Sequence, residues 1–352
     1  MSALNHSHAI PLKGAPGSPY TRKMIAILRY RQIPYRLIIS GLFGAELEGL
    51  PKPKVELLPT FFLPDRSGEL EAVVDSTPII RRLEDDYTGR SVIPSHPVTA
   101  FLDYLLEDFA DEWLTKAMFH YRWYYQADID KAGATLPRWR GLTLTEEELA
   151  PLSDYIKNRQ ISRLYVVGSN DTTAPVIEDS YKRLLTLMSE HMNQSSFMFG
   201  ERPAASDFGL YGQLTQLATF DPTPMAIAVD LATRVVAWVG VVEDLSGMNP
   251  QPDDWCDADN LSDSLRNLFV EVGRVYVPAL LANAAAIESG AAEVETEIDG
   301  RPWVQKPFPY QAKCLQWLRQ QFVALEAADR ATLLEFLAGT GCERLFAKPV
   351  RA

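Results

Sequence analysis

Four short stretches of the sequence place reactive or ligand-gripping residues where backbone geometry would assist them. The first is Gly17-Ser18-Pro19-Tyr20-Thr21-Arg22-Lys23. Ser followed by Pro starts a helix, with Ser as the cap and Pro in the first helical position. A hydroxyl there sits among unpaired backbone N–H groups at the positive end of the helix dipole. That environment favours a bound thiolate, whose parent thiol otherwise has a pKa of about 8.5. The plain alternative is an ordinary cap. The second stretch is Leu58-Pro59-Thr60-Phe61, a proline entering a strand. Proline removes a ladder donor and belongs at an edge, a bulge or a cis bond. A cis bond would leave the Leu58 N–H and C=O free to pair with an extended peptide, whereas a trans proline would simply open the strand. The third is Asp75-Ser76, directly before a helix. Ser76 can hold a carboxylate at the helix N-terminus and Asp75 an α-amino group, unless the pair is only a cap. The fourth runs from Phe199 to Tyr211 and reads as a helix-initiating motif around Asp207.

The elements that must carry these residues are legible from turn signals and periodicity. Ala9–Lys13 reads as a strand, the segment after Ser18-Pro19 as a helix with Met24, Ile27 and Leu28 on one face, and Tyr35–Ile39 as a strand. Gly41–Leu58 carries the chain across as loop or irregular helix. Pro59–Pro64 and Leu70–Val74 form a hairpin around Asp65-Arg-Ser-Gly68, and a helix runs from Ser76 to about Tyr87. This β-α-β then β-β-α order fits a small α/β sandwich. Beyond a turn-rich linker, 89–97, the pattern is all-helical: 98–126, 176–192, 208–220 and 231–245. After a second break at 246–259 come a helix over 261–289, a hairpin turning at Asp299-Gly300, and helices over 310–326 and 330–338. The expected division is therefore 1–90, 97–247 and 255–352.

In this order and spacing the four stretches resemble the cytosolic glutathione transferase superfamily, over about residues 8–245. The resemblance implies a thioredoxin-like N-terminal domain followed by an all-helical domain, with a mainly helical C-terminal extension beyond the family's usual length. It implies glutathione as co-substrate: Ser18 as the thiol-activating residue, Leu58 and Pro59 as the backbone clamp, and Asp75 and Ser76 as the γ-glutamyl site. Tyr20 competes with Ser18, but its side chain begins further into the helix. Lys52 and Lys54 are candidates for the glycine carboxylate. Phe119, His120 and Trp123, within the aromatic patch Phe119–Tyr125, would line the pocket for a small hydrophobic electrophile; the alternative is that the stripe is core. A homodimer is expected by the same analogy. One departure is Ala204, where the family's capping box places Ser or Thr three residues before the Asp; Ser206 would compensate in part.

Conjugation, thiol-dependent isomerisation and reductive dehalogenation share thiolate formation as their first step, so these residues do not separate them. A non-catalytic binding or regulatory protein on the same scaffold is the competing reading. A thiol oxidoreductase needs a Cys where Ser18 stands. The net charge of −12 opposes nucleic acid and anionic membrane surfaces as partners. Cys256, Cys314 and Cys342 form no CxxC pair or Cys/His cluster, so no metal site is expected, and reduced thiols point to the cytoplasm. Cys314 reads as a buried structural thiol. No signal peptide or membrane span is expected. The acidic run Asp103, Glu107, Asp108, Asp111 and Glu112 reads mostly as a solvated helix face.

Overall fold

The computed structural model describes residues 9–39 and 49–347. The segment 41–48, within the expected crossing stretch, lies outside them. Strand β1 (Ile10–Gly14), helix α1 (Pro19–Tyr30), strand β2 (Tyr35–Ile39), strands β3 (Thr60–Pro64) and β4 (Leu70–Val73), and helix α2 (Ser76–Asp86) follow in the expected order. The sheet order is β2-β1-β3-β4. β1 pairs in parallel with β2, and β3 is antiparallel to both β1 and β4. This is the thioredoxin-like arrangement. Leu12, Phe61 and Leu63 of the sheet share one core with Met24, Ile27 and Leu28 of α1 and with Ile79, Ile80 and Leu83 of α2.

A mainly helical body follows. Helix α3 (Pro97–Phe109) continues through a π-helical turn, Ala110–Leu114, into α4 (Thr115–Tyr124). After it come α5 (Gln126–Thr135), α6 (Glu146–Ile161), α7 (Ala174–His191), α8 (Ala205–Leu217), α9 (Pro222–Leu231) and α10 (Thr233–Val242). α5, α6 and α9 have no counterpart in the sequence reading. α6 was nonetheless announced by a complete capping box: the Thr145 hydroxyl accepts from the Glu148 N–H and the Glu148 carboxylate from the Thr145 N–H. Its exposed, charged faces gave little apolar periodicity to detect.

α8 packs tightly on α1: a methyl group added at Gly212 would lie 2.6 Å from the Pro19 carbonyl oxygen. Glu243, just beyond α10, ties α1 to the helical body by accepting from Arg22 at 2.5 Å, Arg29 at 2.9 Å and the Tyr211 hydroxyl at 2.5 Å. At the start of α8, Ala204 supplies no side-chain acceptor, and only the Asp207 half of the capping box forms, through the Ala204 N–H at 2.9 Å. The missing acceptor is replaced from another helix. Asp103 of α3 accepts from the Ser206 N–H at 2.8 Å, and the buried Ser206 hydroxyl lies beside the same carboxylate.

The described C-terminal elements pack against α3 rather than hanging from the body. Helix α11 (Asp263–Glu271) passes through a second π-helical turn into α12 (Val277–Ser289), followed by the hairpin β5 (Val294–Ile298) and β6 (Arg301–Gln305), α13 (Pro309–Ala324) and α14 (Ala327–Leu337). The hairpin register pairs Ile298 with Arg301 across Asp299-Gly300, as the alternation indicated. The 27-residue helix Asp263–Ser289 is long and apolar enough to cross a membrane by length and composition, but 61% of its apolar window is buried inside the fold. Its apolarity serves the core.

This packing overturns the solvated reading of the acidic run. Asp103, Glu107 and Asp111 are buried, and their neighbours on the same turns face the C-terminal elements. The Tyr276 hydroxyl donates to Asp108 at 2.6 Å and the Gln311 amide to Glu112 at 3.1 Å. Lys23 reaches Glu107 at 2.8 Å and Asp111 at 2.5 Å, and Arg81 reaches Glu107 at 3.1 Å. Cys314 is buried, as expected, beside this cluster.

Candidate active site

Ser18 is the N-cap of α1. Its hydroxyl oxygen accepts from the Thr21 N–H at 3.2 Å, and its O–H donates to the Leu58 carbonyl at 3.3 Å. The second bond is long and therefore weak, so the hydroxyl can turn to another acceptor at small cost. The Leu58-Pro59 bond is cis. The strand-to-helix turn and the start of β3 thus meet, two stretches that are 40 residues apart.

The turn before Ser18 is held from the helical body. Arg122 of α4 donates to the Gly17 carbonyl at 3.0 Å and is itself gripped by both oxygens of Asp221, each 3.0 Å from its Nε. Gln216 of α8 donates to the Pro16 carbonyl at 3.4 Å. Gly17 is in close contact on its other side, where an added methyl group would meet Trp139 at 2.6 Å and Leu136 at 2.7 Å. Sequence reading missed Arg122, although it lies inside the quoted aromatic patch, because its partner Asp221 is 99 residues away.

Ser18 opens onto a cavity of about 720 Å³. Tyr20, Leu58, Phe119 and Trp123 share its wall with Met118, Leu136, Trp139, Tyr155 and Ile156. The Tyr20 hydroxyl is committed, donating to the Asp111 carbonyl at 2.7 Å; burial first, and then Glu112 and Asp111, push its pKa well above the usual value. Its hydroxyl is therefore already engaged, and Ser18 and Tyr155 bring further hydroxyl-bearing side chains to the wall. His120 does not line the cavity. It is buried, bonded to Ser169 at 2.8 Å and to Glu178 at 3.3 Å, and stacked on Tyr124. Of the three aromatic-patch residues proposed from sequence, the structure brings Phe119 and Trp123 to the pocket and leaves His120 behind them.

The other expected residues do not join this cavity. Lys52 and Lys54 are exposed on the segment leading to Glu56 and Leu57, which do line it. Asp75 and Ser76 sit at the start of α2, where Asp75 takes a backbone φ of +83°. The Asp75 carboxylate accepts from the Tyr310 hydroxyl of α13 at 2.6 Å. Burial raises its pKa, opposed by that bond and by Lys23. Ser76 is buried, accepting from Lys23 at 3.1 Å and donating to Asp111 at 3.4 Å. The C-terminal extension and the buried acidic cluster thus occupy the polar groups of the expected γ-glutamyl site. Among the described residues, no group of three or more His, Cys, Asp or Glu side chains is placed to hold a metal ion.

Residues 12–91 match the family model for the glutathione S-transferase N-terminal domain. No curated protein matches the chain. Among solved structures, the chain is similar to a glutathione transferase family member from Pseudomonas fluorescens Pf-5 with two glutathiones bound. The two share 15% identity over 68% of this chain and 95% of that one, with a TM-score of 0.40. A glutathione transferase from Burkholderia graminis, with two glutathione molecules per subunit, gives 16% identity over 70% and 92%, with a TM-score of 0.41. A maleylacetoacetate isomerase from Anaeromyxobacter dehalogenans gives 14% identity over 72% and 98%, with a TM-score of 0.37. Residues 12–91 therefore form a domain of the glutathione S-transferase N-terminal type.

Proposed function

We propose that the protein is a glutathione-dependent transferase in which Ser18 holds the thiolate of glutathione and directs it at an electrophile in the adjoining cavity. The observation that carries this reading is the Ser18 hydroxyl at the N-terminus of α1, facing a cavity walled by Phe119 and Trp123. On binding, the thiol proton is released to bulk water and the Ser18 O–H turns from the Leu58 carbonyl to the sulfur. A hydrogen bond to a charged acceptor together with a helix N-terminus can supply about 2–3 kcal/mol, or roughly two pKa units on the thiol. In this reading the Leu58 backbone, which lies beside Ser18, pairs with the cysteinyl peptide unit of glutathione. In this reading residues 1–90 hold the thiol, 97–247 form the acceptor side, and 255–352 cover the far end near Asp75.

One observation favours the second reading, a binding protein without turnover: the Tyr310–Asp75 bond occupies the group expected to take the γ-glutamyl amine. Isothermal titration with glutathione, paired with ultraviolet thiolate absorbance of the complex, separates the two. The transferase reading expects wild type to bind with the thiol ionised near neutral pH and Ser18→Ala to bind with the thiol largely protonated. Absence of binding at millimolar glutathione sinks it. Binding with no difference in thiolate between the two proteins leaves the non-catalytic reading.

A further inference from the structure

The cavity beside Ser18 carries more positive charge than an apolar acceptor would need. Lys13, Arg140, Arg159 and Arg163 line it, against the carboxylate of Glu56. Among the described residues, none of these four cations has a carboxylate within ion-pair distance, whereas ten other arginines do. Arg122, the remaining arginine of the wall, is neutralised by Asp221 and is not counted. Three guanidinium groups around one cavity without a carboxylate partner among the described residues form a local positive patch in a chain of net charge −12. Arg159 lies in the last turn of α6 and Arg163 just beyond its end, and α6 contributes Tyr155 and Ile156 to the same wall. Rings and cations therefore face one space.

We infer that this cavity takes an aryl or similarly apolar molecule bearing a carboxylate or sulfonate, recognised by Arg140, Arg159 and Arg163. The apolar body is buried against Trp139 and Tyr155, and its anionic head meets planar guanidinium groups whose paired N–H donors match a carboxylate's two oxygens. A ligand of the same shape without charge keeps the first interaction and loses the second. The inference rests on the reading of this cavity as the acceptor pocket, but not on glutathione being the thiol.

The test is isothermal titration of the full chain with 1-naphthylacetate and with its uncharged amide, in the absence of glutathione. Wild type and the triple variant Arg140→Gln/Arg159→Gln/Arg163→Gln are compared, with circular dichroism to show that the variant is folded. These side chains are solvent-exposed, so the fold should survive their replacement. The expected result is about ten-fold tighter binding of the carboxylate by wild type at low salt. That preference should shrink to about three-fold or less in the triple variant and in high salt. Equal affinity for acid and amide, a preference that survives the triple substitution, or no binding of either at millimolar concentration overturns the inference. A parallel titration with glutathione reads the other question. If the triple variant loses glutathione affinity and keeps the naphthyl preference, the arginines serve the tripeptide and the inference fails, while the transferase reading stands.

Discussion

Removing the Tyr310 hydroxyl should strengthen glutathione binding. In the structure this hydroxyl donates to Asp75 at 2.6 Å, a short bond to a half-buried carboxylate. Hydrogen bonds to charged groups contribute roughly 1.5–3 kcal/mol. If the α-amino group of the γ-glutamyl unit docks on Asp75, that bond is broken or shared on binding, and its cost is subtracted from the affinity. Partial exposure of the pair argues for the lower end, so Tyr310→Phe is expected to tighten binding by about ten-fold, or ~1.4 kcal/mol. The ring itself should stay in place, because Tyr310 also packs on Phe308 and edge-on against Trp317. The variant should lose about 1 kcal/mol of folding stability, since Asp75 gives up a donor but keeps access to water. Isothermal titration of wild type and Tyr310→Phe with glutathione, alongside urea unfolding of both, makes the measurement. Affinity unchanged within two-fold in a folded variant would refute the reasoning, because Asp75 would then not be where the amine docks. Weaker binding would refute it too, and would make Tyr310 a ligand contact.

Three further outcomes follow from the same geometry. Arg122→Met should destabilise the fold by about 3–5 kcal/mol, because Asp221 is left buried without its cation, and should also weaken glutathione binding by releasing the Gly17 carbonyl; urea unfolding beside titration checks both parts. Gly212→Ala should cost about 1–3 kcal/mol, since the new methyl group must push α1 away from α8 at Pro19, and a destabilisation below 0.5 kcal/mol would contradict the close approach. Unfolding free energy should fall as pH rises from about 5 to 8. Burial raises Asp103 and Asp108 to about 7, and Glu112 and Asp207 to about 8, so the folded chain keeps protons that the unfolded chain has already released. One such group with a folded pKa of about 7 accounts for roughly 2–3 kcal/mol between pH 5 and 7. His191, lowered by burial, acts with the opposite sign below its usual pKa and offsets part of the change at the acidic end. Urea titrations across this range that give a flat or rising profile would contradict the buried, proton-retaining acids.

Much of the local architecture was determined by short-range sequence signals. Ser18-Pro19 caps α1, the Asp65–Gly68 and Asp299-Gly300 turns set two hairpins, and the spacing of apolar residues marks α7 and α8. Each depends on backbone preferences and side-chain periodicity within a few residues, which any reader of the chain can apply. Four chemistry-bearing stretches in their family order added the thioredoxin-like domain. Tertiary structure decided everything that needed a distant partner. The acids of α3 look like a solvated face until Lys23, Tyr276 and Gln311, up to 199 residues away, are folded against them. Asp75 looks like an open ligand site until Tyr310, 235 residues later, donates to it. The cationic wall of the pocket is spread over β1, the turn after α5, α6 and the residues just beyond it, and no spacing in the sequence joins Lys13 to Arg163. Local preference fixes an element's type at close range. Which charges are neutralised, and which are left facing a cavity, depends on contacts between residues far apart in the chain that only the completed packing creates.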